Sequence, residues 1–564
     1  MENKEYMLID GNPVEINGEK NLLEVIRKAG IELPTFCYHS ELSVYGACRM
    51  CMVENSHGGM EAACSTVPKA GMEIYTNTER LHKHRKMILE LLLANHCRDC
   101  TTCQKNGKCR LQELASLFGL ESIRFKNLKP EPELDTSSLS IIRDAHKCIL
   151  CGDCVRMCNE IQNVGAIDFV NRGSKMVIGP AFNEPIANSP CVGCGQCAAV
   201  CPTGAIVIRK DTGRVWPELN DKNTKVVAQV APAVRVAMAK EFGLPENENS
   251  MGRITAALRR LGFDEVYDTA TGADLTVLEE SNEFLQRIEA GENLPLITSC
   301  CPAWIQYCEK NHPELMKNIS TCKSPMQMFS SVIKAKYATS SRRVVCVAVM
   351  PCTAKKFECA REEFMHDGVP ETDYVITTQE LIQMIHKAGI VFEELEPEAV
   401  DSVFSTCTGA GVIFGVTGGV TEAVLRRLST DKSKKALMSI AFNDVRGMKG
   451  VKETTIPYGD KEVRIAIVSG LKNAEKVIQA LKNGEHYDFI EVMACPGGCV
   501  AGGGQPFGTN ATKEVRGKAL YSADKMLSIK RSEENPLMLS LYDGVLKGRV
   551  HELLHVHYNH KEEE

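Results

Sequence analysis

The sequence predicts an α/β domain with parallel strands, preceded by small α+β metal-binding modules. Cysteines form tight groups within the first 205 residues, and none occurs between Arg209 and Ser299. From about residue 225, β-branched segments such as TKVVAQVAP and RRVVCVAVMPC alternate with helical segments such as RITAALRRLG. This alternation is typical of a parallel sheet. The later cysteine motifs follow predicted strands, where α/β folds place their sites.

The chain is too long for one core of ordinary size, since it has 564 residues. The cysteine groups and the segment KPEPELD at 129–135, which has the composition of a linker, suggest where the domains are divided. The predicted domains are three N-terminal modules, a large α/β domain and a helical C-terminal segment, with bounds 1–80, 81–125, 126–209, 210–514 and 515–564.

Composition predicts a soluble, cytoplasmic protein. Hydrophobic residues are 44% and charged residues 24% of the chain, and no apolar run has the length of a membrane span. The opening MENKEYMLIDGNPVEI has no signal-peptide pattern and no twin arginine. The net charge of -6 argues against nucleic acid as the main partner. We therefore expect neither a membrane nor nucleic acid as a partner.

The 26 cysteines indicate metal binding rather than disulfides. Disulfides are rare in the cytosol, and C-x2-C spacing lets several thiolates reach one metal centre. Two copies of C-x2-C-x2-C-x3-C match the bacterial two-cluster ferredoxin pattern, in which the fourth cysteine of each copy serves the other cluster. Zinc is the alternative metal, but zinc sites usually need two C-x2-C pairs, whereas each motif here has three closely spaced cysteines and a fourth. The expected [4Fe–4S] ligand sets are Cys148, Cys151, Cys154 and Cys201, and Cys191, Cys194, Cys197 and Cys158.

Two further motifs precede these. The first has C-x10-C-x2-C-x12-C spacing, which contains the C-x2-C pair of a plant-type [2Fe–2S] site but has a longer first gap. The second motif is H-x3-C-x2-C-x5-C and begins at His96. It could bind zinc or a [4Fe–4S] cluster, and its position between iron–sulfur modules favours the cluster. Both resemble modules of respiratory complex I's large iron–sulfur subunit and of modular hydrogenases. The expected ligands are Cys37, Cys48, Cys51 and Cys64, and then His96, Cys100, Cys103 and Cys109, with Cys97 as a spectator.

Three later segments supply cysteines for one more cluster. They are TSCCPAW at 298–304, MPCTAKKFE at 350–358 and EVMACPGGCVAGGGQP at 491–506. Cysteines from separate loops can hold a cubane without a compact motif, and the glycines let the backbone approach a bulky inorganic group. The expected ligands are Cys301, Cys352, Cys495 and Cys499.

These three segments closely resemble the signatures of [FeFe]-hydrogenases, and the resemblance extends over essentially the whole chain. The most similar type is the modular, monomeric clostridial enzyme. The resemblance implies a catalytic domain built around an H-cluster, which is a [4Fe–4S] cubane joined by a cysteine thiolate to a two-iron subsite with CO, CN and a bridging amine dithiolate. It also implies one [2Fe–2S] cluster, three accessory [4Fe–4S] clusters and a C-terminal segment similar to a small subunit.

The family's residue roles transfer to matching positions of this chain. Cys499 would bridge the cubane to the two-iron subsite. Other residues implied to contact the cofactor are Lys355, Met350, Met493, Ser299 and Pro302. Cys300 would pass the proton, through a relay implied to comprise Glu280, Ser320, Glu283 and Arg287. Without the family resemblance, the spacing of Glu280, Glu283 and Arg287 indicates a solvated, salt-bridged helix face.

Three positions depart from the family pattern. Met326 stands where a glutamine is usual, Cys322 where a small residue is usual, and Thr421 where a methionine is common. All three are expected near the two-iron subsite.

The resemblance implies the reversible reaction of protons and electrons to H2, with ferredoxin or flavodoxin as electron carrier. It further implies maturation proteins for the two-iron subsite and a monomeric state. One alternative is the catalytic subunit of an NADH-linked or electron-bifurcating complex, although GAGVIFG at 409–415 is not a dinucleotide-binding motif. The other two alternatives are a hydrogen sensor and a complex I-type subunit. A sensor usually lacks the cysteine at 300, and a complex I subunit lacks the three loop segments.

Two hypotheses concern residues outside the clusters. Residues 80–129 contain eleven Lys/Arg against four Asp/Glu, and a basic surface there would steer an acidic ferredoxin. Cys322 and Cys407 are not needed as ligands. They are either buried core residues or thiols that react with Cys300 or the cluster during oxidation.

Overall fold

The computed structural model describes residues 5–127, 133–429, 445–458 and 461–558. Within these ranges, three small units precede a larger α/β region with two four-stranded sheets. Most of the predicted linker at 129–135, including Lys129, lies outside the described residues. None of the described helices is long and apolar enough to cross a bilayer.

The first unit is a five-stranded sheet covered by one short helix. Asn21 caps this helix by accepting a hydrogen bond from the Glu24 amide (3.1 Å), and Gly30 follows its end in the left-handed conformation that ends helices (φ 81°). Apolar residues of the helix and sheet form one buried core. The elements are β1 (Glu5–Ile9), β2 (Asn12–Ile16), α1 (Leu22–Lys28), β3 (Met52–Asn55), β4 (Met60–Ala62) and β5 (Glu73–Tyr75).

The second unit is a pair of helices and the third has short strands and helices. Buried Arg85 of the first helix donates to the carbonyl oxygens of Met52 and Thr76 (2.9 and 3.0 Å), which ties this helix to the first unit. The second unit has α2 (Glu79–Ala94) and α3 (Arg110–Leu117). The third has β6 (Ile141–Arg143), α4 (Asp153–Arg156), β7 (Asp168–Val170), β8 (Val177–Gly179), α5 (Gln196–Val200) and β9 (Ile206–Ile208).

The first large sheet is fully parallel, in the order β11-β10-β13-β16. Its strands are almost entirely buried because helices cover both faces. Its strands are β10 (Thr224–Val230), β11 (Glu265–Asp268), β13 (Arg343–Met350) and β16 (Tyr374–Thr377). Its helices are α6 (Thr212–Asn220), α7 (Met251–Leu261), α8 (Ala270–Ala290), α10 (Pro325–Lys336) and α12 (Thr378–Lys387).

The second large sheet has the order β12-β19-β18-β17, with three parallel strands and one antiparallel edge strand. The predicted parallel strands are confirmed, whereas the antiparallel strand was not expected from the sequence. The strands are β12 (Leu296–Ile297), β17 (Val451–Tyr458), β18 (Lys461–Ser469) and β19 (Phe489–Met493). The nearby helices are α9 (Pro302–Asn311), α11 (Ala354–Glu358), α13 (Gly409–Ile413), α14 (Gly419–Leu428) and α15 (Leu471–Lys482), and a small hairpin comprises β14 (Met365–His366) and β15 (Val369–Pro370).

The C-terminal segment is helical, as predicted, and packs on the larger α/β region. Leu553 and Leu554 are buried in the same core as Met328 and Phe329 of α10. The backbone amide of Val556 donates to the Thr321 carbonyl (2.7 Å). The helices are α16 (Asn510–Met526), α17 (Pro536–Asp543) and α18 (Val550–Leu554).

Candidate iron–sulfur and catalytic sites

The eight cysteines of the third unit line two separate cavities. Cys148, Cys151, Cys154 and Cys201 line the first. Cys158, Cys191, Cys194 and Cys197 line the second. In each cavity, three cysteines come from one motif and the fourth comes from the other motif. The structure thus brings together the two crossed ligand sets that the spacing predicts.

The first unit brings its four predicted ligands together, and the second unit brings together its three predicted cysteines. The Cys37 and Cys48 thiols lie in hydrogen-bonding contact, as do the Cys51 and Cys64 thiols. In the second unit, burial raises the pKa of Cys109, and Cys103 and Cys100 lie close enough to raise it further. The His96 Nδ1 contacts the Cys97 carbonyl oxygen, and this contact fixes the orientation of the ring.

The second cavity of the third unit adjoins the catalytic region. Gln196 of α5 donates a hydrogen bond from Nε2 to the Cys495 Sγ (3.1 Å) and another to the Ala501 carbonyl (2.9 Å). A Cβ at Gly503 would lie 2.4 Å from the Cys194 carbonyl oxygen. Only glycine permits this close approach, so the loop after Cys499 lies directly against the third unit.

The loops after three strands meet at one apolar cavity of about 90 Å³. Strand β12 leads to Cys300 and Cys301, β13 leads to Cys352, and β19 leads to Cys495 and, in the same loop, Cys499. The walls are mainly apolar. The cavity is lined by all four predicted cubane ligands together with Cys300, Pro302, Met326, Met350, Lys355, Phe414 and Met493, among others.

The donor set fits an iron–sulfur cluster. Burial raises the pKa of the Cys301, Cys352 and Cys495 thiols. Neighbouring thiols also raise the pKa of Cys352 and Cys495, and that of Cys352 reaches about 11. Four crowded thiols become thiolates at neutral pH only when a metal displaces their protons. A Cβ at Gly498 would lie 2.6 Å from the Thr417 amide, so this residue must be glycine for the loop to carry Cys499 into the cavity.

Lys355 is the one ammonium group that lines this cavity among the described residues. Its Nζ donates to the Cys300 carbonyl (3.3 Å) and pairs with Glu358 (2.6 Å). Burial alone would lower the pKa of Lys355, but Glu358, Cys352 and Cys300 raise it on balance. A charged donor is therefore fixed at the cavity wall, as suits an anionic ligand.

A line of polar residues leads from the cavity towards solvent. Burial and the nearby Glu280 carboxylate raise the pKa of Cys300 well above its usual range. Glu280 of α8 is fully buried, and neither of its carboxylate oxygens has a hydrogen-bond partner at normal distance among the described residues. Burial, Glu283 and Glu491 raise the pKa of Glu280 to about 8, although Ser320 and the Ser299 amide partly oppose them.

The outer part of this line is fully hydrogen-bonded. The Ser320 hydroxyl donates to Glu283 (2.8 Å), and Arg287 forms an ion pair with Glu283 (2.5 Å). Arg287 also donates to the Asn318 and Ile319 carbonyl oxygens (3.0 and 2.9 Å). The structure thus brings the five predicted relay residues near one another. Cys300 lines the cavity with Glu280 beside it, and Ser320, Glu283 and Arg287 form the hydrogen-bonded outer part.

Other predicted positions lie behind the cavity wall. Ser299 is not among the lining residues, and its hydroxyl donates to the Cys322 carbonyl (2.5 Å). Of the three departures, only Met326 lines the cavity. The Cys322 thiol points to Glu283 (3.8 Å), and the Thr421 hydroxyl donates to Glu491 (2.8 Å).

The sequence did not reveal two buried carboxylates beside the relay. Glu491 of β19 accepts hydrogen bonds from the Gly418 and Thr421 amides (both 2.7 Å). Glu279 contacts His555 (3.1 Å) and also accepts a hydrogen bond from the Tyr542 hydroxyl. An acidic residue on an otherwise apolar strand is the local signal that could have identified Glu491. Nothing near Glu279 in the sequence indicates its partners, which lie more than 260 residues away.

The predicted basic surface is smaller than the residue count suggests. Arg85 is buried, and five of the counted cations pair with carboxylates: Arg80, Lys83, Lys108, Arg110 and Arg124. Four described cations form no ion pair with a described residue: Lys86, Arg98, Lys105 and Lys126.

Comparison with known proteins matches each of these regions to a family. Residues 224–503 match the iron only hydrogenase large subunit, C-terminal domain, and 510–561 match the iron hydrogenase small subunit. Residues 6–79 match a 2Fe-2S iron-sulfur cluster binding domain, 85–124 the NADH-ubiquinone oxidoreductase-G iron-sulfur binding region, and 147–209 a 4Fe-4S dicluster domain. The fold and these family matches define an iron–sulfur oxidoreductase.

Relatives that match over most of the chain identify the family within this class of oxidoreductases. The chain is 41% identical to the NADP-reducing hydrogenase subunit HndD of Solidesulfovibrio fructosivorans over 98% of both chains. It is 35% identical to iron hydrogenase 1 of Clostridium pasteurianum, over 98% of this chain and 99% of the relative. A solved [FeFe]-hydrogenase from Chlamydomonas reinhardtii is 37% identical and covers 62% of this chain and 98% of its own, with a TM-score of 0.54. The chain belongs to the iron-only, or [FeFe], hydrogenase family, as its sequence motifs predicted.

Proposed function

We propose that this hydrogenase interconverts protons, electrons and H2 at an H-cluster and exchanges the electrons with ferredoxin or a similar acidic carrier. The observation that carries the proposal is the apolar cavity, in which four thiols from three loops meet a fifth thiol, Cys300, at the inner end of a polar relay. The electron path would use one [2Fe–2S] and three accessory [4Fe–4S] clusters. The proposed domains are 1–80, 81–125, 126–209, 210–514 and 515–564.

Different cavity residues would bind different parts of the cofactor. Cys301, Cys352, Cys495 and Cys499 would ligate the cubane, with Cys499 also bridging to the two-iron subsite. When bound, the H-cluster supplies the chemistry that makes and breaks the H–H bond. Lys355 would donate a hydrogen bond to an anionic ligand, while Met350 and Met493 exclude water with soft apolar side chains.

The chain's own residues would move the proton. Cys300 presents its thiol to the cavity and recovers a proton from Glu280, whose pKa of about 8 lets it carry one near neutral pH. Ser320 relays between Glu280 and Glu283, and Arg287 holds Glu283 where it meets solvent. Each transfer needs groups within hydrogen-bond reach, directly or through one water.

An infrared spectrum of the matured protein tests the cofactor assignment. Bands from iron-bound CO and CN are expected, and they should be lost in Cys499→Ala. Iron content must be measured in parallel, because an empty cavity and a cavity with a cubane alone both lack these bands. A spectrum without such bands in fully matured wild-type protein would contradict the H-cluster proposal.

A second candidate is the catalytic subunit of an NAD(P)-linked complex. It is favoured by the similarity to a protein named as an NADP-reducing hydrogenase subunit. The test is H2-dependent reduction of ferredoxin and of NADP by the purified chain alone and by the chain purified from its native cells. Reduction of ferredoxin by the isolated chain supports the first candidate. Stable co-purification with a nucleotide-binding subunit supports the second.

A further inference from the structure

Histidines are concentrated near the described C-terminal end of the chain. Of the 14 histidines, four fall within residues 551–560, and a short histidine-rich segment is a compositional signal for metal binding. His551 in α18 and His557 just beyond it are exposed, and their Nε2 atoms lie 3.3 Å apart. The ring of His555 stacks against that of His551, with centroids 5.0 Å apart.

The separation of the two nitrogens fits shared coordination of one ion. Tetrahedral zinc with Zn–N bonds of roughly 2.0–2.1 Å places two imidazole nitrogens about 3.3–3.4 Å apart. His551 lies in α18 and His557 lies three residues beyond its end, where the His555 amide donates to the His551 carbonyl (3.1 Å). Exposure to solvent leaves room for water to complete the coordination.

We propose that His551 and His557 bind a divalent transition-metal ion such as Zn²⁺ through their Nε2 atoms. Imidazole nitrogen is a suitable ligand for zinc and related metals. The alternative occupant of the same geometry is a proton, shared in a long imidazole–imidazole hydrogen bond.

The position of this pair connects it to the proton relay. His555, between the two, contacts the Thr321 hydroxyl through Nδ1 (2.8 Å) and Glu279 through Nε2 (3.1 Å). The Thr321 amide donates to both carboxylate oxygens of Glu283 (3.1 Å each). A dication beside His555 favours the ionised form of nearby carboxylates. It should therefore slow proton uptake through Glu283, a consequence that rests on the proposed function.

Metal binding is measured first, without turnover. Matured protein is cleared of loose metal with a chelator, and zinc binding is followed by anaerobic calorimetry in wild type, His551→Ala and His557→Ala. His486→Ala is the matched control, because His486 is an exposed histidine paired with Asp488 on another part of the surface. Wild type and the control should bind one zinc ion that each of the other variants binds at least tenfold more weakly. Equal binding in all four proteins would overturn the site and leave the hydrogen-bonded pair.

Turnover with a viologen dye then tests the link to the relay. Each protein is assayed with and without zinc, and the ratio of the two rates is compared. Zinc at one equivalent should slow wild type and His486→Ala at least twofold more than it slows His557→Ala. Tight binding without this difference would overturn the link while the metal site stands. Since calorimetry needs no hydrogenase activity, failure of the proposed function would not affect the binding result. Iron content checks that zinc has not displaced cluster iron.

Discussion

The N-terminal modules and the catalytic region both use cysteine to hold metal, but they arrange it differently along the chain. In the modules, ligands lie close together in the sequence, and Cys100, Cys103 and Cys109 are only partly buried. In the catalytic region, the ligands come from three separate loops and line an apolar cavity. An electron needs only proximity between clusters, whereas a proton needs a continuous line of donors and acceptors. Substitutions at the catalytic site should therefore reduce turnover far more than substitutions at the basic surface of residues 80–129, where we propose that electrons enter (the entry surface).

Substitution of Cys300 should have the largest effect. Cys300→Ala removes the innermost donor, and Cys300→Ser has a far less acidic hydroxyl, so both should lose about 10²- to 10⁴-fold in turnover. Cys300→Asp should retain part of the activity because a carboxyl can relay. Cys308→Ala, at a buried thiol outside the cavity, is the control. Infrared spectra and iron content must be unchanged for the comparison to hold. Wild-type turnover in Cys300→Ala with an intact cluster would show that the thiol only packs beside a ligand.

Substitution of the relay glutamates should have the next largest effect. Glu280→Gln and Glu283→Gln should assemble the cluster and lose activity, less completely than Cys300→Ala, because an amide accepts and donates hydrogen bonds but does not carry a proton. Turnover is measured with a viologen dye so that carrier docking does not contribute. Normal turnover in Glu280→Gln would show that protons leave by another route.

Glu280 also makes a prediction about pH and stability. Its pKa is about 8 in the folded protein, against an ordinary value near 4.3. A carboxyl whose pKa is higher in the folded than in the unfolded protein contributes stability when the pH is below its unfolded pKa. This contribution is lost as pH rises through the folded pKa of about 8. Glu280→Gln should therefore gain stability relative to wild type as pH rises from 5 to 8, on the order of a few kcal/mol. The check is the Tm difference between the two proteins across that range. A difference independent of pH would mean that Glu280 is ionised in the folded protein.

The same contrast explains what could be predicted from sequence. The Cys148 and Cys191 motifs indicated their clusters because each motif is local, and the crossover to Cys201 follows from a known pattern. Four of the parallel strands, β10, β13, β18 and β19, were predicted from runs of β-branched residues. The shorter β11, β12 and β16 were missed, and so was β17, because its exposed face breaks the run.

Contacts that join distant segments could not be predicted. Gln196 and Cys495 are 299 residues apart, and no local feature marks the glutamine as a donor to a ligand sulfur. The eleven basic residues between 80 and 129 were counted correctly, but their ion pairs depend on carboxylates such as Glu32, Glu54 and Glu241. A net charge taken from sequence ignores these pairs and overstates the surface potential.

Charge reversal at the entry surface should have a moderate effect. Arg98→Glu and Lys105→Glu replace cations that have no ion-pair partner among the described residues, so they should slow turnover with ferredoxin severalfold at low salt. Turnover with a small viologen dye should stay close to wild type. Rising salt should reduce the ferredoxin rate of wild type and shrink the difference between the proteins. Lys518→Glu, at an exposed position of α16, is the control. Equal losses with both electron donors would place docking elsewhere.

The two extra thiols should give the smallest effect. Burial raises the pKa of Cys322 and Cys407, and the carboxylates of Glu283 and Asp268 beside them raise it further. A thiol reacts with oxidants as its thiolate, so both should remain inert. Neither lines the cavity that holds Cys300. Cys322→Ala and Cys407→Ala should stay within about twofold of wild type in turnover, a change of less than roughly 0.5 kcal/mol in the activation barrier. Recovery after exposure to air should match wild type and Cys346→Ala, a buried thiol in the first large sheet. A change in recovery at Cys322 alone would reveal a redox reaction beside the relay, since its thiol already contacts Glu283.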